Sequence, residues 1–250
     1  MACFRALDAV ILAGGQGSRL QPVLTDCAKV MAPIQGRPFL EHLVEHLAAF
    51  GVRRVILALG YRHETVLRHL DSYRPSGVSF FSSIEREPLG TGGSLRHAAQ
   101  YLRSDRALVL NGDSLTRADL CAFLRFHETT GARWSMLLTH CEQADRYAVV
   151  TIDGEGRVTG FDPASPSGRG FISTGVYLAE RDAIDDWVPA HGPVSLERDV
   201  FPRRCGDELR GWGGRFAFID IGTPESYRAA ETFFAPTAAV PGTGGAAHDH

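Results

Sequence analysis

The chain has 250 residues, 44% of them hydrophobic, and its 26 basic against 29 acidic side chains leave a formal net charge of −3. That length supports a sizeable core. The charge balance excludes a general attraction to nucleic acid or to an anionic membrane, so an anionic ligand must be held by local charge.

The N-terminal "MACFRALDAVILAGG" runs from a short apolar segment straight into glycines, and no stretch approaches ~18 apolar residues. This predicts a first buried strand and no membrane span. Five scattered cysteines (Cys3, Cys27, Cys121, Cys141, Cys205) include no C-x-x-C. They read as reduced thiols of a cytoplasmic protein, without a disulfide frame or zinc site.

Strands are predicted at 7–13, 54–60, 78–83 and 107–114. Helices are predicted at 38–51, 64–73, 94–102 and 118–131; the first has Pro38 at its start and Gly51 past its end. Strand–helix alternation with continuous apolar strands argues an α/β fold, a mostly parallel sheet with helices on both faces. Ligands of such sheets bind beyond the carboxyl ends of the strands, which selects the loops 14–28, 84–93 and 111–114.

From about 133 the texture changes. "WSMLLTHC", "YAVVTID", "RVTGFD" and "ISTGVYLAE" read as strands, with "DGEG" (153–156) a tight turn. A short helix "SLERDVFP" and a strand "FAFIDIG" follow. This half extends the same sheet with antiparallel or mixed strands, so 1–234 is expected to form one domain. The Pro/Gly-rich 235–250 is expected to be disordered.

"AGGQGSRLQP" (13–22) follows a strand, where glycines let backbone amides approach phosphate oxygens. It fits neither G-x-G-x-x-G, since Leu20 stands at the third position, nor a Walker A loop. An ordinary glycine turn is the alternative. Lys29 is the only lysine in a chain whose other basic side chains are arginines. A compact point charge on a flexible stem, where a planar fork would not fit, suits a site at which phosphate oxygens move. Asp113, in "NGDS" after an apolar strand, and Asp220, in "FIDIG", are each either buried structural groups or ligands. In "EREPLGTGG", backbone amides at Gly90 and Gly92 could approach a base edge. Glu87 could accept from two adjacent donors, a pair that guanine offers and adenine does not. The alternative there is a helix-entry loop with a solvated glutamate.

G-x-G-x-R with a lysine ten residues on, then "EPLGTGGSL", "LNGDS", "TGVYL", "SLERDVFP" and "IDIGTPESY" in order, resembles the sugar-1-phosphate nucleotidyltransferases. The resemblance covers nearly everything but the tail. "PLGTGG", "DRY" (145–147) and "SLERD" look most like the D-glycero-α-D-manno-heptose 1-phosphate guanylyltransferases, neighbours of the mannose-1-phosphate enzymes. It implies a Rossmann-like nucleotide-diphospho-sugar transferase fold, with a nucleotide-binding part at about 1–131 and a sugar-binding part at about 132–234.

It also implies roles. Gly14, Gly15 and Gly17 would cradle the nucleotide, Arg19 and Lys29 would touch the triphosphate, and Asp113 and Asp220 would hold Mg²⁺. Tyr147, Gly175 and Glu197 would line the sugar pocket. Many relatives carry a lysine after the strand here written "VTGF"; "FDPASPSGRG" has none, and Arg169 is the candidate substitute. The implied partners are an NTP, best GTP with ATP as alternative, and a heptose, mannose or glucose 1-phosphate. Nucleic acid and membrane are not expected, and a homo-oligomer is left open. A non-catalytic sugar-nucleotide-binding subunit is the rival from another class, though Arg19, Lys29 and both aspartates are present.

Overall fold

A computed structural model describes residues 2–17, 19–20, 24, 27–162, 168–206 and 208–235. The expected tail beyond 235 lies outside the described residues. The elements run β1 (Asp8–Ala13), β2 (Pro33–Ile34), β3 (Arg37–Pro38), α1 (Phe39–Ala49), β4 (Arg54–Leu59), α2 (His63–Leu70), β5 (Ser79–Ile84) and α3 (Gly90–Ala99). They continue with β6 (Arg106–Asn111), β7 (Ser114–Thr116), α4 (Leu120–Thr130), β8 (Trp134–Cys141), β9 (Val149–Ile152), β10 (Val158–Asp162) and β11 (Gly170–Glu180). The chain closes with α5 (Arg181–Trp187), β12 (Leu209–Gly214), β13 (Phe218–Asp220) and α6 (Pro224–Phe234).

Nine strands share one sheet in the order β10-β9-β11-β6-β1-β4-β5, with β8 also pairing β11 and β12 pairing β8. The pairs β6/β1, β1/β4 and β4/β5 are parallel, whereas β11 meets β6, β8 and β9 antiparallel. This is the mixed, mostly parallel sheet that the apolar strands predict. Alternation along β1 sends Ala9 and Ile11 to one core with α1 and α4, and Val10 and Leu12 to the other with α3 and α5. Helices therefore cover both faces.

Two expectations change. Helix α3 begins at Gly90, four residues before its predicted start. The helical propensity of Gly90, Gly92 and Gly93 is poor, but Gly92 and Gly93 donate their amides to Val194 O, and a Cβ on Gly90 would stand 2.5 Å from that same oxygen. Backbone-to-backbone contact overrides propensity there. The cysteines also depart from the reduced-thiol reading: Cys3 and Cys121 form a disulfide across 118 residues, while Cys27, Cys141 and Cys205 take part in no disulfide.

The bridge ties the segment before β1 to the first turn of α4. Closing a loop of that length removes chain entropy from the unfolded state, a ceiling of about 5 kcal/mol. Thiol reduction or Cys3→Ser is expected to lower the midpoint of thermal unfolding by several degrees; an unchanged midpoint under dithiothreitol would show that the bridge does not form in solution. No helix among the described residues is long and apolar enough to cross a membrane.

Candidate active site

The two aspartates are brought together by a small antiparallel ribbon. β13 pairs with β7 so that Asp220 stands opposite Ser114, and Ile221 N donates to Asp113 O at 2.8 Å. Asp113 thus emerges just past β6, at the carboxyl edge of the parallel strands, beside the end of β13. Lys29 opens a short 3-10 turn anchored by buried Val30 and by Ala28, whose amide donates to Thr65 Oγ1. Its Nζ lies 2.6 Å from Asp113 Oδ2. A Cβ on Gly17 would stand 3.4 Å from the Lys29 stem, and one on Gly222 would stand 3.7 Å from Nζ and 2.6 Å from Asp220 Oδ1. Lys29 is 16% and Asp113 38% exposed, so this ion pair contributes little to stability.

Asp220 is more enclosed. Its Oδ1 accepts from Gly222 N (2.7 Å) and Ser226 Oγ (3.2 Å). Its Oδ2 accepts from Tyr147 OH and from Arg146 Nη2 at 3.1 Å. Burial alone would raise the Asp220 pKa; the Tyr147 hydroxyl, the Gly222 amide, the Arg146 charge and Ser226 outweigh it and hold the carboxylate below its ordinary range. The Tyr147 phenol moves the other way, pushed up by burial and by its bond to that carboxylate.

Two clefts meet at this ribbon. One of about 380 Å³ is lined by Gly14, Gly15, Gly17, Lys29, Glu85 and Gly90 among others. The other, of about 490 Å³, is lined by Tyr147, Ser173, Gly175, Tyr177, Glu197 and Arg198 among others. Arg19, Asn111, Asp113 and Gly222 line both. A pair of ligands filling the two clefts would therefore touch across Asp113, with Lys29 on one side and Asp220 on the other. Among the described residues no group of three or more His, Cys, Asp or Glu could hold a metal. Two convergent carboxylates beside a phosphate-sized glycine cradle nevertheless fit Mg²⁺, which is usually held by one or two carboxylates plus substrate phosphates.

In the smaller cleft the inward carboxylate is Glu85, two residues before the predicted Glu87. Glu85 N still donates to Leu59 O, continuing the β4/β5 ladder, and the chain bends only at Arg86 and Glu87. Its Oε2 accepts from Ser94 Oγ at 2.5 Å, and a Cβ on Gly14 or Gly60 would stand 2.5 Å from its Oε1. Glu87 is exposed and borders an outer hollow with Tyr61 and Arg62. Gly92 is corrected as well: its amide donates to Val194 O at 2.8 Å and is not available to a base.

In the larger cleft, Gly175 has φ +74° and a Cβ there would lie 2.7 Å from Asn111 Nδ2, so only glycine leaves Asn111 in place. Asn111 lines both clefts and its side-chain oxygen is buried without a partner, a polar atom that sequence reasoning passed over inside "LNGDS". Glu197 sits on a single π-helical turn, Leu196–Val200. It accepts from Thr91 Oγ1 (2.8 Å), Ser195 Oγ (3.0 Å) and Tyr177 OH (3.2 Å). Tyr177 in turn accepts from Ser173 Oγ, which accepts from Gly175 N. Arg169 is not among the residues lining this cleft; its charge acts on Glu142. The cation at Asp220 is Arg146, the middle of "DRY".

An open-edged α/β sheet with a glycine loop, a lysine and paired aspartates at its carboxyl edge defines a phosphate-handling nucleotide-binding protein. The family model described as nucleotidyl transferase matches residues 8–236, and the chain belongs to that family. It is 34% identical over 226 residues to the D-glycero-α-D-manno-heptose 1-phosphate guanylyltransferase of Aneurinibacillus thermoaerophilus, covering 90% of this chain and 97% of that protein. It is 36% identical over 229 residues to the mannose-1-phosphate guanylyltransferase of Mycobacterium tuberculosis, covering 88% of this chain but 62% of that longer protein. Among solved structures, HddC from Yersinia pseudotuberculosis complexed with GMP-PN superposes with a TM-score of 0.81 at 32% identity, covering 91% of this chain and 99% of that one.

Proposed function

We propose that this protein joins GTP and D-glycero-α-D-manno-heptose 1-phosphate into the GDP-sugar, releasing pyrophosphate. The observation that carries the reading is the shared wall of the two clefts, where Arg19, Lys29 and Asp113 stand beside Asp220. A sugar-phosphate oxygen attacks the α-phosphorus, the bond to the β-phosphate bridging oxygen breaks, and pyrophosphate departs. The nucleophile is already ionised near neutral pH, so the site needs positioning and charge neutralisation more than a general base. Gly14, Gly15 and Gly17 present backbone to the triphosphate. Lys29 transfers its contact from Asp113 to phosphate oxygen, and Arg19 steadies the departing group. Asp113 and Asp220 would hold Mg²⁺, which when bound neutralises phosphate charge. Gly175, Tyr147 and Glu197 would face the sugar. A protein that consumes NTP in this way belongs in the cytoplasm.

Similarity to two D-glycero-α-D-manno-heptose 1-phosphate guanylyltransferases, each at 34% identity, supports the heptose substrate. The test crosses the four common NTPs with heptose, mannose and glucose 1-phosphates and measures pyrophosphate. Release with GTP and heptose 1-phosphate is expected; release only with mannose 1-phosphate would move the sugar, and silence across the grid would leave a binding subunit.

Base choice rests on Glu85. Its carboxylate can accept from guanine N1–H and the 2-amino group, and an amide at that position presents a mismatched donor. Glu85→Gln is expected to lower kcat/KM for GTP by about 10–100-fold and to narrow the preference over ATP. Equal GTP preference in the variant would remove Glu85 from base reading. Glu87→Gln, on the exposed outer rim, is expected to leave the preference unchanged.

A further inference from the structure

Asp220 accepts four hydrogen bonds, the full complement of a carboxylate. Two come from just downstream, the Gly222 amide and Ser226 in the first turn of α6. The two on Oδ2 come from Arg146 and Tyr147, ahead of β9. An oxygen so engaged accepts a cation only by giving up a donor.

Arg146 is the donor placed to leave. It is 44% exposed and lines the larger cleft, where its other hydrogen bonds are to Thr223 Oγ1 (3.1 Å) and Tyr147 OH (2.9 Å). Both are neutral hydroxyls that a phosphate outbids. Among the described residues the larger cleft is lined by three arginines, Arg19, Arg146 and Arg198. Arg19 also lines the glycine-loop cleft. Arg198 stands on the turn that carries Glu197, with no contact to either aspartate. Arg146 alone of the three touches Asp220.

We infer that Arg146 receives the phosphate of the incoming sugar 1-phosphate and, in turning to it, releases Asp220 Oδ2 for the divalent cation. This rests on the nucleotidyl-transfer reading above. A guanidinium presents two parallel N–H donors to a phosphate, whereas its present contact with Asp220 is a single partly exposed ion pair of small worth. The exchange is therefore favourable as soon as the phosphate arrives. It links the two ligands, so sugar 1-phosphate and cation each strengthen the binding of the other.

The test measures binding without turnover. Calorimetry gives the affinity for D-glycero-α-D-manno-heptose 1-phosphate, for D-mannose 1-phosphate and for the unphosphorylated sugars; electron paramagnetic resonance of free Mn²⁺ gives cation affinity with and without them. Arg146→Ala is expected to weaken sugar 1-phosphate binding roughly 10–100-fold while leaving the weak binding of the free sugar and the affinity for GTP as they were. Arg146→Lys recovers part of the loss. In the absence of sugar phosphate, Tyr147→Phe and Arg146→Ala are each expected to bind Mn²⁺ more tightly than the wild type, because each removes one of the two donors on Oδ2. Sugar 1-phosphate affinity retained in Arg146→Ala overturns the inference alone, as does a phosphate-specific loss that appears in Arg198→Ala instead. Wild-type protein that binds neither sugar 1-phosphate overturns the nucleotidyl-transfer reading and the inference with it.

Discussion

Replacing Lys29 by methionine is expected to lower turnover by about 10²–10³-fold, the range found when one preorganised charge-stabilising donor is removed, with little change in thermal stability. The ion pair that Lys29 makes with Asp113 is partly exposed, so its loss costs the fold little, while the reaction loses the cation at the meeting point of the clefts. Arginine should not rescue it. The stem runs against Gly17, where a Cβ would already stand 3.4 Å away, and Nζ ends beside Gly222 and Asp113. The wider planar guanidinium is expected to crowd the ribbon there, where the compact ammonium does not. Lys29→Arg is therefore expected to remain closer to the methionine variant than to the wild type in kcat, measured by pyrophosphate release. Near-normal turnover in either variant would remove Lys29 from the chemistry and return it to a surface charge.

The second large effect concerns the aspartates. Asp113→Asn and Asp220→Asn are each expected to cut Mg²⁺-dependent turnover by about 10²-fold or more and to raise the Mg²⁺ concentration needed for half-maximal rate. They differ in their structural cost. Among the described residues Asp113 has one side-chain partner, Lys29, so its loss is expected to leave the fold intact. Asp220 organises Tyr147, Arg146, Ser226 and the Gly222 amide, so Asp220→Asn should also lower the unfolding midpoint. A Mg²⁺ titration curve unchanged in either variant would count against that aspartate as a metal ligand.

What the sequence made legible follows the range of the physical signal. Period-two and period-3.6 apolar patterns are local, and they place β1, β4, β5, α1 and α4 within a residue or two of their observed ends. Motif residues that stand at strand ends, Asp113 and the glycines after β1, are also locally determined, because the end of an apolar run at a sheet edge says where a side chain emerges. The misreadings involve partners far apart in the chain. Cys3 and Cys121 carry no local mark of their pairing. The helical start at Gly90 depends on Val194, about a hundred residues on. Arg146 lies 74 residues from Asp220, and nothing in "DRY" itself announces that contact. Glu85 and Glu87 differ by a bend whose position is set by where the β4/β5 ladder stops. "SLERDVFP" reads as a helix, but Val200 N donates to Ser195 O, an i to i+5 bond that widens the segment into a π turn ahead of Pro202, while Ser195 N donates to Asp199 Oδ2 and Ser195 Oγ accepts from Arg198 N.

Whether the converged clefts transfer a nucleotidyl group at the α-phosphorus is decided by following label. GTP labelled at the α-phosphate is incubated with sugar 1-phosphate, Mg²⁺ and the enzyme, and a parallel sample carries the label at the γ-phosphate. The α-label is expected in a nucleotide-sugar and the γ-label in pyrophosphate, in equal amounts and only when both substrates are present. Label from the γ-position in a sugar bisphosphate or in inorganic phosphate would mean that the attack falls on the terminal phosphorus, and the assignment of Lys29, Asp113 and Asp220 to nucleotidyl transfer would be wrong.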